Sequence, residues 1–142
     1  MGKKRLVYKL EDTSMMGMLG SAGAAAQCYR VGNFVYMTGQ TAFTLTGELV
    51  GVNDPAEQAE QACKNIKALM EMAGGTLFDV IKIITYVTDR AHREFVYPVI
   101  RKYFEGLRPC GTGIVVNGLA RPELMVEIDA WGFIDDEDEG SS

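Results

Sequence analysis

Glu127 places a charge inside the apolar run Leu124 to Ile128. Side chains alternate along a strand, so Val126 and Ile128 point to one face while Met125, Glu127 and Asp129 share the other. A carboxyl held there, half-buried between an apolar and an acidic residue, suits general acid or base work, because partial burial raises its pKa toward neutrality. The plainer reading is a strand carboxylate turned to solvent or paired with a lysine. Thr38-Gly39-Gln40 is the second candidate: a glycine at a strand end lets the backbone approach a ligand closely, and Thr38 adds a hydroxyl, although a simple turn uses the same residues. The third is Arg108-Pro109-Cys110-Gly111. Its thiol lies two residues from a guanidinium, but no histidine or helix start stands beside Cys110 to make it a nucleophile. Tyr97 fits core or interface packing better than contact with a ligand.

These residues need elements to hold them. Cys28 to Arg30 and Phe34 to Thr38 read as a hairpin turned at Gly32-Asn33, and Thr46-Gly47 marks the next turn. Asp54-Pro55-Ala56-Glu57 is a strong helix start, with a capping aspartate, a proline at the first helical position and a glutamate three residues after the cap. From there to Gly74 a stripe of Ala59, Ala62, Cys63, Ile66, Leu69, Met70 and Ala73 gives one apolar helix face about 28 Å long. Val80 to Val87 is β-branched and aromatic and reads as a central strand. A second helix spans about Ala91 to Phe104, where Pro98 argues for a start nearer Phe95. The apolar runs Ile114 to Val116 and Leu124 to Ile128, around a Gly118/Pro122 turn, read as paired strands. The result is an α+β fold with two helices packed on one face of a mixed sheet. Neither alternation of Val80 to Val87 is clearly polar. With both helices on one side, the other sheet face is expected to meet another copy of the chain, making a homo-oligomer.

Composition narrows the classes. A chain of 142 residues reads as one domain over residues 1–134, followed by an acidic tail, 135–142. Net charge is −5, and residues 135–139 supply five negative charges, so the remainder sums to −5 + 5 = 0. A neutral domain without a basic stripe is a poor partner for nucleic acid. No run approaches the roughly 18 apolar residues of a membrane span, and no targeting segment is evident, so the expectation is a cytoplasmic protein without a membrane partner. Three cysteines without a CxxC pair and a single histidine argue against a disulfide framework and a metal centre. Neither metal nor cofactor is expected. His92 is expected exposed at a helix start.

Tyr36-Met-Thr-Gly-Gln40, the helix from Asp54 to Gly74 and Val126-Glu-Ile-Asp129 together resemble the Rid family of reactive-intermediate deaminases, also called the YjgF-type family, over about residues 27 to 134. The resemblance implies a YjgF-like, chorismate-mutase-like fold, trimers whose sheets enclose a central barrel, and a small-molecule metabolite bound in clefts between subunits. It also implies roles. Glu127 matches the acid that positions water at an imine carbon, and Thr38 and Gly39 match residues lining the pocket. Two departures follow. Gly111 stands where catalytic members carry the arginine that grips the substrate carboxylate, and a flap tyrosine falls by count on Ala25, within the Gly- and Ala-rich segment 13–26. Arg108, three residues from Gly111, is the nearest cation in sequence, and Cys110 and Tyr97 complete the expected substrate contacts. The implied function is that of a divergent imine or enamine hydrolase, not a standard 2-aminoacrylate deaminase. The alternative is a non-catalytic metabolite-binding trimer or, more remotely, a chaperone-like protein.

Overall fold

The computed structural model describes residues 4–8 and 26–135. The strands are β1 (Lys4–Tyr8), β2 (Cys28–Val31), β3 (Phe34–Met37), β4 (Val80–Val87), β5 (Cys110–Val115) and β6 (Val126–Phe133), and the helices are α1 (Pro55–Met72) and α2 (Arg93–Phe104). They form one six-stranded sheet in the order β1-β2-β3-β6-β4-β5. Every pairing is antiparallel except that of β4 with β5.

The helices begin where local chemistry dictates. Asp54 Oδ1 accepts the Glu57 backbone N–H at 3.1 Å, and Pro55 opens α1 with a φ already helical. Past the far end Gly74 takes φ +99°, and the Ala73 carbonyl accepts from Arg30 Nη1 at 2.9 Å and Arg5 Nη2 at 3.2 Å. The last turn of α1 has no basic residue of its own, so β1 and β2 supply the donors that its C-terminus favours. At α2 the chain first makes a short turn, Arg90–His92, capped by Asp89, before the helix proper starts at Arg93. Pro98 does not delay that start to Phe95. It lies exposed inside α2, where it forgoes one ladder bond while Val96, Ile100 and Phe104 anchor the buried face.

Both helices cover one sheet face. Ile66, Leu69 and Met70 of α1 and Val96 and Ile100 of α2 enclose Val35, Ile83, Val87, Val126, Ile128 and Ala130 in one core. The opposite face carries Phe34, Tyr36 and Phe133, with Tyr36 46% exposed. Large aromatic surface of this kind on a sheet is a feature of faces that meet another chain.

The expected hairpin between residues 114–116 and 124–128 does not form. β5 begins earlier, at Cys110, and pairs in parallel with β4, Lys82 opposite Cys110 and Val87 opposite Val115. The unit β4-α2-β5 is a crossover, which places β5 at the sheet edge, and β6 inserts between β3 and β4. The Cys-Gly-Thr-Gly start of β5 is too glycine-rich to read as strand from propensity, which shortened the expected element. β1 is a further addition, paired with β2 through Lys4, Arg5 and Leu6.

Buried amides fix the loops around the open end of β6. Gln58, fully buried on α1, donates to the carbonyls of Gly51 and Glu123 at 3.1 and 2.9 Å and accepts from Met125 N–H at 2.8 Å. Asn65 donates to the Phe43 carbonyl at 2.7 Å. One helix thereby holds both the turn entering β6 and the loop that follows β3.

Candidate functional site

The loop after β3 is stitched to β6 by a reciprocal pair, Gln40 N–H to the Ile128 carbonyl and Ile128 N–H to the Gln40 carbonyl, both 2.8 Å. Glu127 and Asp129 flank Ile128 on the helix-free side, so both carboxyls fold against Gly39. A Cβ on Gly39 would collide with Glu127 Oε2 and come within 2.8 Å of Asp129 Oδ1. The absence of a side chain on Gly39 thus leaves the space that the two carboxyls take up. The side chains of Thr38 and Gln40 are held as well: Thr38 Oγ1 donates to the Ala26 carbonyl at 2.7 Å, and Gln40 Nε2 donates to the Thr38 carbonyl at 2.7 Å and to Gln27 Oε1 at 3.1 Å. A cavity of about 200 Å³ opens over this floor, lined by Thr38, Gly39, Thr41, Phe43, Leu45 and Glu127.

Burial pushes the Glu127 carboxyl above the ordinary carboxylate range, and the adjacent charge of Asp129 adds to the rise. Asp129 is itself fixed by the Tyr86 hydroxyl, which donates to its Oδ2 at 2.8 Å. That hydrogen bond, with burial, pushes the Tyr86 phenol up to about 12. Two carboxyls therefore sit on one strand face in unlike surroundings, one anchored by a phenol and one facing a partly apolar cavity. Of the two, the carboxyl that faces the cavity is the one whose pKa is raised, which suits it to exchange protons there.

The raised pKa makes a stability prediction with a definite sign. Between the unfolded and folded pKa of Glu127 the native state binds more protons than the unfolded chain, so this residue makes stability fall as pH rises above the ordinary value of 4.5. Glu127→Gln should therefore melt at a higher temperature than the native chain at pH 7, and the difference should shrink on acidification toward pH 4. Thermal unfolding at the two pH values measures it, and equal melting temperatures at pH 7 would contradict the burial of this carboxyl.

A second cavity, of about 300 Å³, lies on the helix side of the sheet between α2 and β5, lined by Ile83, Thr85, Arg93, Tyr97, Gly111 and Gly113 among others. Gly111 forms bare floor: a Cβ there would meet only Ile83 Cγ1, at 3.9 Å. Gly113 is different, because the Tyr97 hydroxyl occupies the space its Cβ would take. The Arg93 guanidinium stacks on the Tyr97 ring, 5.1 Å from its centroid.

The residues named from sequence thus fall into groups. Thr38, Gly39 and Glu127 converge on the first cavity, and Gly111 and Tyr97 on the second, across the sheet. Cys110, opposite Lys82, takes the alternate face of β5 from Gly111. Arg108 is exposed, with φ +53°, in the turn before β5, and is not among the residues lining the Gly111 cavity. The cation that does line it is Arg93. Its only sequence signal is the four-residue spacing to Tyr97, which puts the two side chains on one helix face. His92 is half-buried at the start of α2 instead of exposed. Ala25 and nearly all of the 13–26 segment lie outside the described residues, as do residues 136–142 of the acidic tail. Among the described residues no helix is long and apolar enough to cross a membrane, and no group of three or more His, Cys, Asp or Glu is placed to hold a metal ion.

Known proteins are similar to this chain in architecture and in sequence. Residues 18–134 match the family described as Endoribonuclease L-PSP. A RutC family protein of Pyrococcus abyssi is 33% identical over 112 residues, which span 78% of this chain and 87% of that protein. Among solved structures, RidA of the Antarctic bacterium Psychrobacter sp. PAMC 21119 is 30% identical with a TM-score of 0.74, covering 92% of this chain and 97% of that one. Rv2704 of Mycobacterium tuberculosis, described as a member of the YjgF/YER057c/UK114 family, is 26% identical with a TM-score of 0.76, covering 93% of this chain and all of the other.

Proposed function

The chain belongs to the Endoribonuclease L-PSP family, which takes in Rid and YjgF proteins, and from that premise we propose that it hydrolyses a small imine, or the enamine that tautomerises to it. The observation that carries this reading is the Glu127 carboxyl, half-buried against Gly39 in the 200 Å³ cavity with its pKa raised. In the proposed reaction Glu127 takes a proton from water and the oxygen attacks the imine carbon. The C–N bond of the resulting carbinolamine then breaks with proton transfer to nitrogen, releasing ammonia and a carbonyl product. Thr38 and Gly39 form the wall against which the substrate lies. No metal or cofactor enters the scheme.

The working crevice is proposed to lie between copies, Glu127 of one facing the Gly111 and Tyr97 cavity of the next, in a homotrimer. Two features favour this: the aromatic open face of the sheet, and β5, whose outer edge pairs with no other strand among the described residues. The unit that does this is residues 1–134, in the cytoplasm, with neither membrane nor nucleic acid as partner. Gly111 provides no cation from the strand floor, which disfavours an amino-acid-derived enamine whose α-carboxylate needs a bidentate grip. The same bare glycine favours the second reading, a trimer that binds a metabolite without turning it over.

The test is to generate imines in solution and follow their decay with and without the protein, using one imine derived from an amino acid and one small imine without a carboxylate. Acceleration is expected for the uncharged imine above all. No acceleration of either, with saturable binding retained, would replace the hydrolase with the binding protein.

A further inference from the structure

The cavity beside Glu127 has a second polar wall that the proposed hydrolysis leaves unused. Gln27, just before β2, and Thr41, in the loop after β3, both line the cavity and are only 7% and 8% exposed. The Thr38 carbonyl decides how the two glutamine amides are turned. A carbonyl can only accept, so the atom that Gln40 brings to it at 2.7 Å is Nε2, and the Gln27 atom 3.1 Å from that same nitrogen is Oε1. The Nε2 of Gln27 is thereby left over as a donor. Among the described residues it makes no hydrogen bond. Thr41 repeats the pattern: its Oγ1 accepts the Phe43 N–H at 3.3 Å, and its own proton has no acceptor among the described residues.

Donors buried this deeply are normally paired, so these two call for an acceptor inside the cavity. Thr38 presents the converse. Its Oγ1 gives its proton to the Ala26 carbonyl at 2.7 Å, which leaves only lone pairs for a ligand. The cavity therefore offers two neutral donors and one neutral acceptor, beside an apolar wall of Phe43, Leu45 and Leu124. Among the described residues no lysine or arginine lines it, and Glu127 is its one acidic lining residue.

We infer that the substrate carries a carboxamide next to its imine carbon, with the amide oxygen on Gln27 Nε2 and Thr41 Oγ1 and the amide NH2 on Thr38 Oγ1. This rests on the proposed hydrolysis and specifies its substrate as an α-imino amide. A carboxylate in the same place has no proton for Thr38, meets no cation and is repelled by the ionised Glu127. A hydrocarbon branch of the same size leaves the buried donors unpaired, which a polar site rejects strongly. The bare Gly111 agrees with this class, since an uncharged amide needs no guanidinium. The amide is a handle and does not react. The oxygen of water bonds to the imine carbon, the C–N bond at that carbon breaks with the proton going to nitrogen, and the products are ammonia and an α-keto amide.

The experiment is calorimetric titration of the full chain with pyruvamide, the smallest such product, and separately with pyruvate and methyl isopropyl ketone, which match it in shape. Calorimetry reads occupancy whether or not anything is turned over. Pyruvamide is expected to saturate, and to bind about tenfold or more tightly than either of the others. Gln27→Met should weaken pyruvamide about tenfold and leave the ketone bound as before, a change of preference that a merely structural role would not produce. Thr41→Val should give a smaller loss of the same kind. The inference is overturned if pyruvate binds as tightly as pyruvamide, if pyruvamide does not saturate, or if Gln27→Met weakens pyruvamide and the ketone in equal proportion. Pyruvamide binding in a chain that accelerates no imine would instead remove the hydrolase and leave the carboxamide site standing, so the two failures are told apart.

Discussion

Glu127→Gln is expected to lower imine hydrolysis by about 10²–10⁴-fold, the usual contribution of a positioned general acid or base. The substitution keeps the shape and half-buried position of the side chain and removes its ability to take a proton from water. Because the carboxyl is costly to hold ionised, the same variant gains stability near neutrality, so a fall in rate cannot be ascribed to unfolding. The native rate should also report the environment of Glu127. Its acid limb, where activity falls as the base becomes protonated, should lie above the ordinary carboxylate value of 4.5. Asp129→Asn removes the like charge beside Glu127 and should move that limb to lower pH. Steady-state rates from pH 4 to 8 for the three chains make the comparison. A native limb at or below 4.5, or a Glu127→Gln chain as fast as the native one, would remove this carboxyl from the chemistry.

Gly39→Ala is expected to be nearly as damaging, although the methyl group carries no chemistry. The new Cβ would occupy the space of Glu127 Oε2 and come within 2.8 Å of Asp129 Oδ1. The loop cannot retreat easily, because Gln40 is tied to Ile128 on both its N–H and its carbonyl at 2.8 Å. The carboxyl must therefore swing away, and a displacement of about 1 Å from a reacting geometry costs on the order of 10²-fold in rate. The variant should fold, since side-chain movement into the adjacent cavity relieves the clash. Its signature is non-additivity: Gly39→Ala combined with Glu127→Gln should be no slower than Glu127→Gln alone, because both act through one carboxyl. Independent, multiplying effects would instead give Gly39 a role of its own against the substrate.

Much of the positioning framework follows from residue order alone. Asp54-Pro55 fixes the start of α1, the β-branched run fixes β4, and alternation along Val126 to Asp129 places Glu127 and Asp129 on one face, as the structure has them. What depends on distant partners does not. The Cys-Gly-Thr-Gly start of β5 lacks strand propensity and is extended because β4 lies beside it, which is why pairing with β6 looked natural from the two apolar runs. β1 has little signal until β2 is available to pair with it. At the site, Gly39 is legible as a close approach, but the identity of what approaches it, two carboxyls from β6, emerges only from the Gln40–Ile128 stitch. Arg108 is near Gly111 in sequence, whereas Arg93 is near it in space, carried there by the crossover from α2 to β5. Proximity along a chain is a weak guide across a turn with a left-handed residue, which Arg108 itself supplies.

The claim that most needs testing is that the crevice is shared. Glu127→Gln removes the carboxyl from one side, and Gly111→Trp fills the cavity on the other while leaving Glu127 intact, so each chain alone should be inactive. Unfolded together in equal amounts and refolded, they should form mixed oligomers in which about a quarter of the crevices pair a native carboxyl with a native cavity. The measurement is the imine hydrolysis rate of that mixture. Recovery to about a quarter of the native rate is predicted, and a mixture as inactive as its two components would contradict a site built from two copies of the chain.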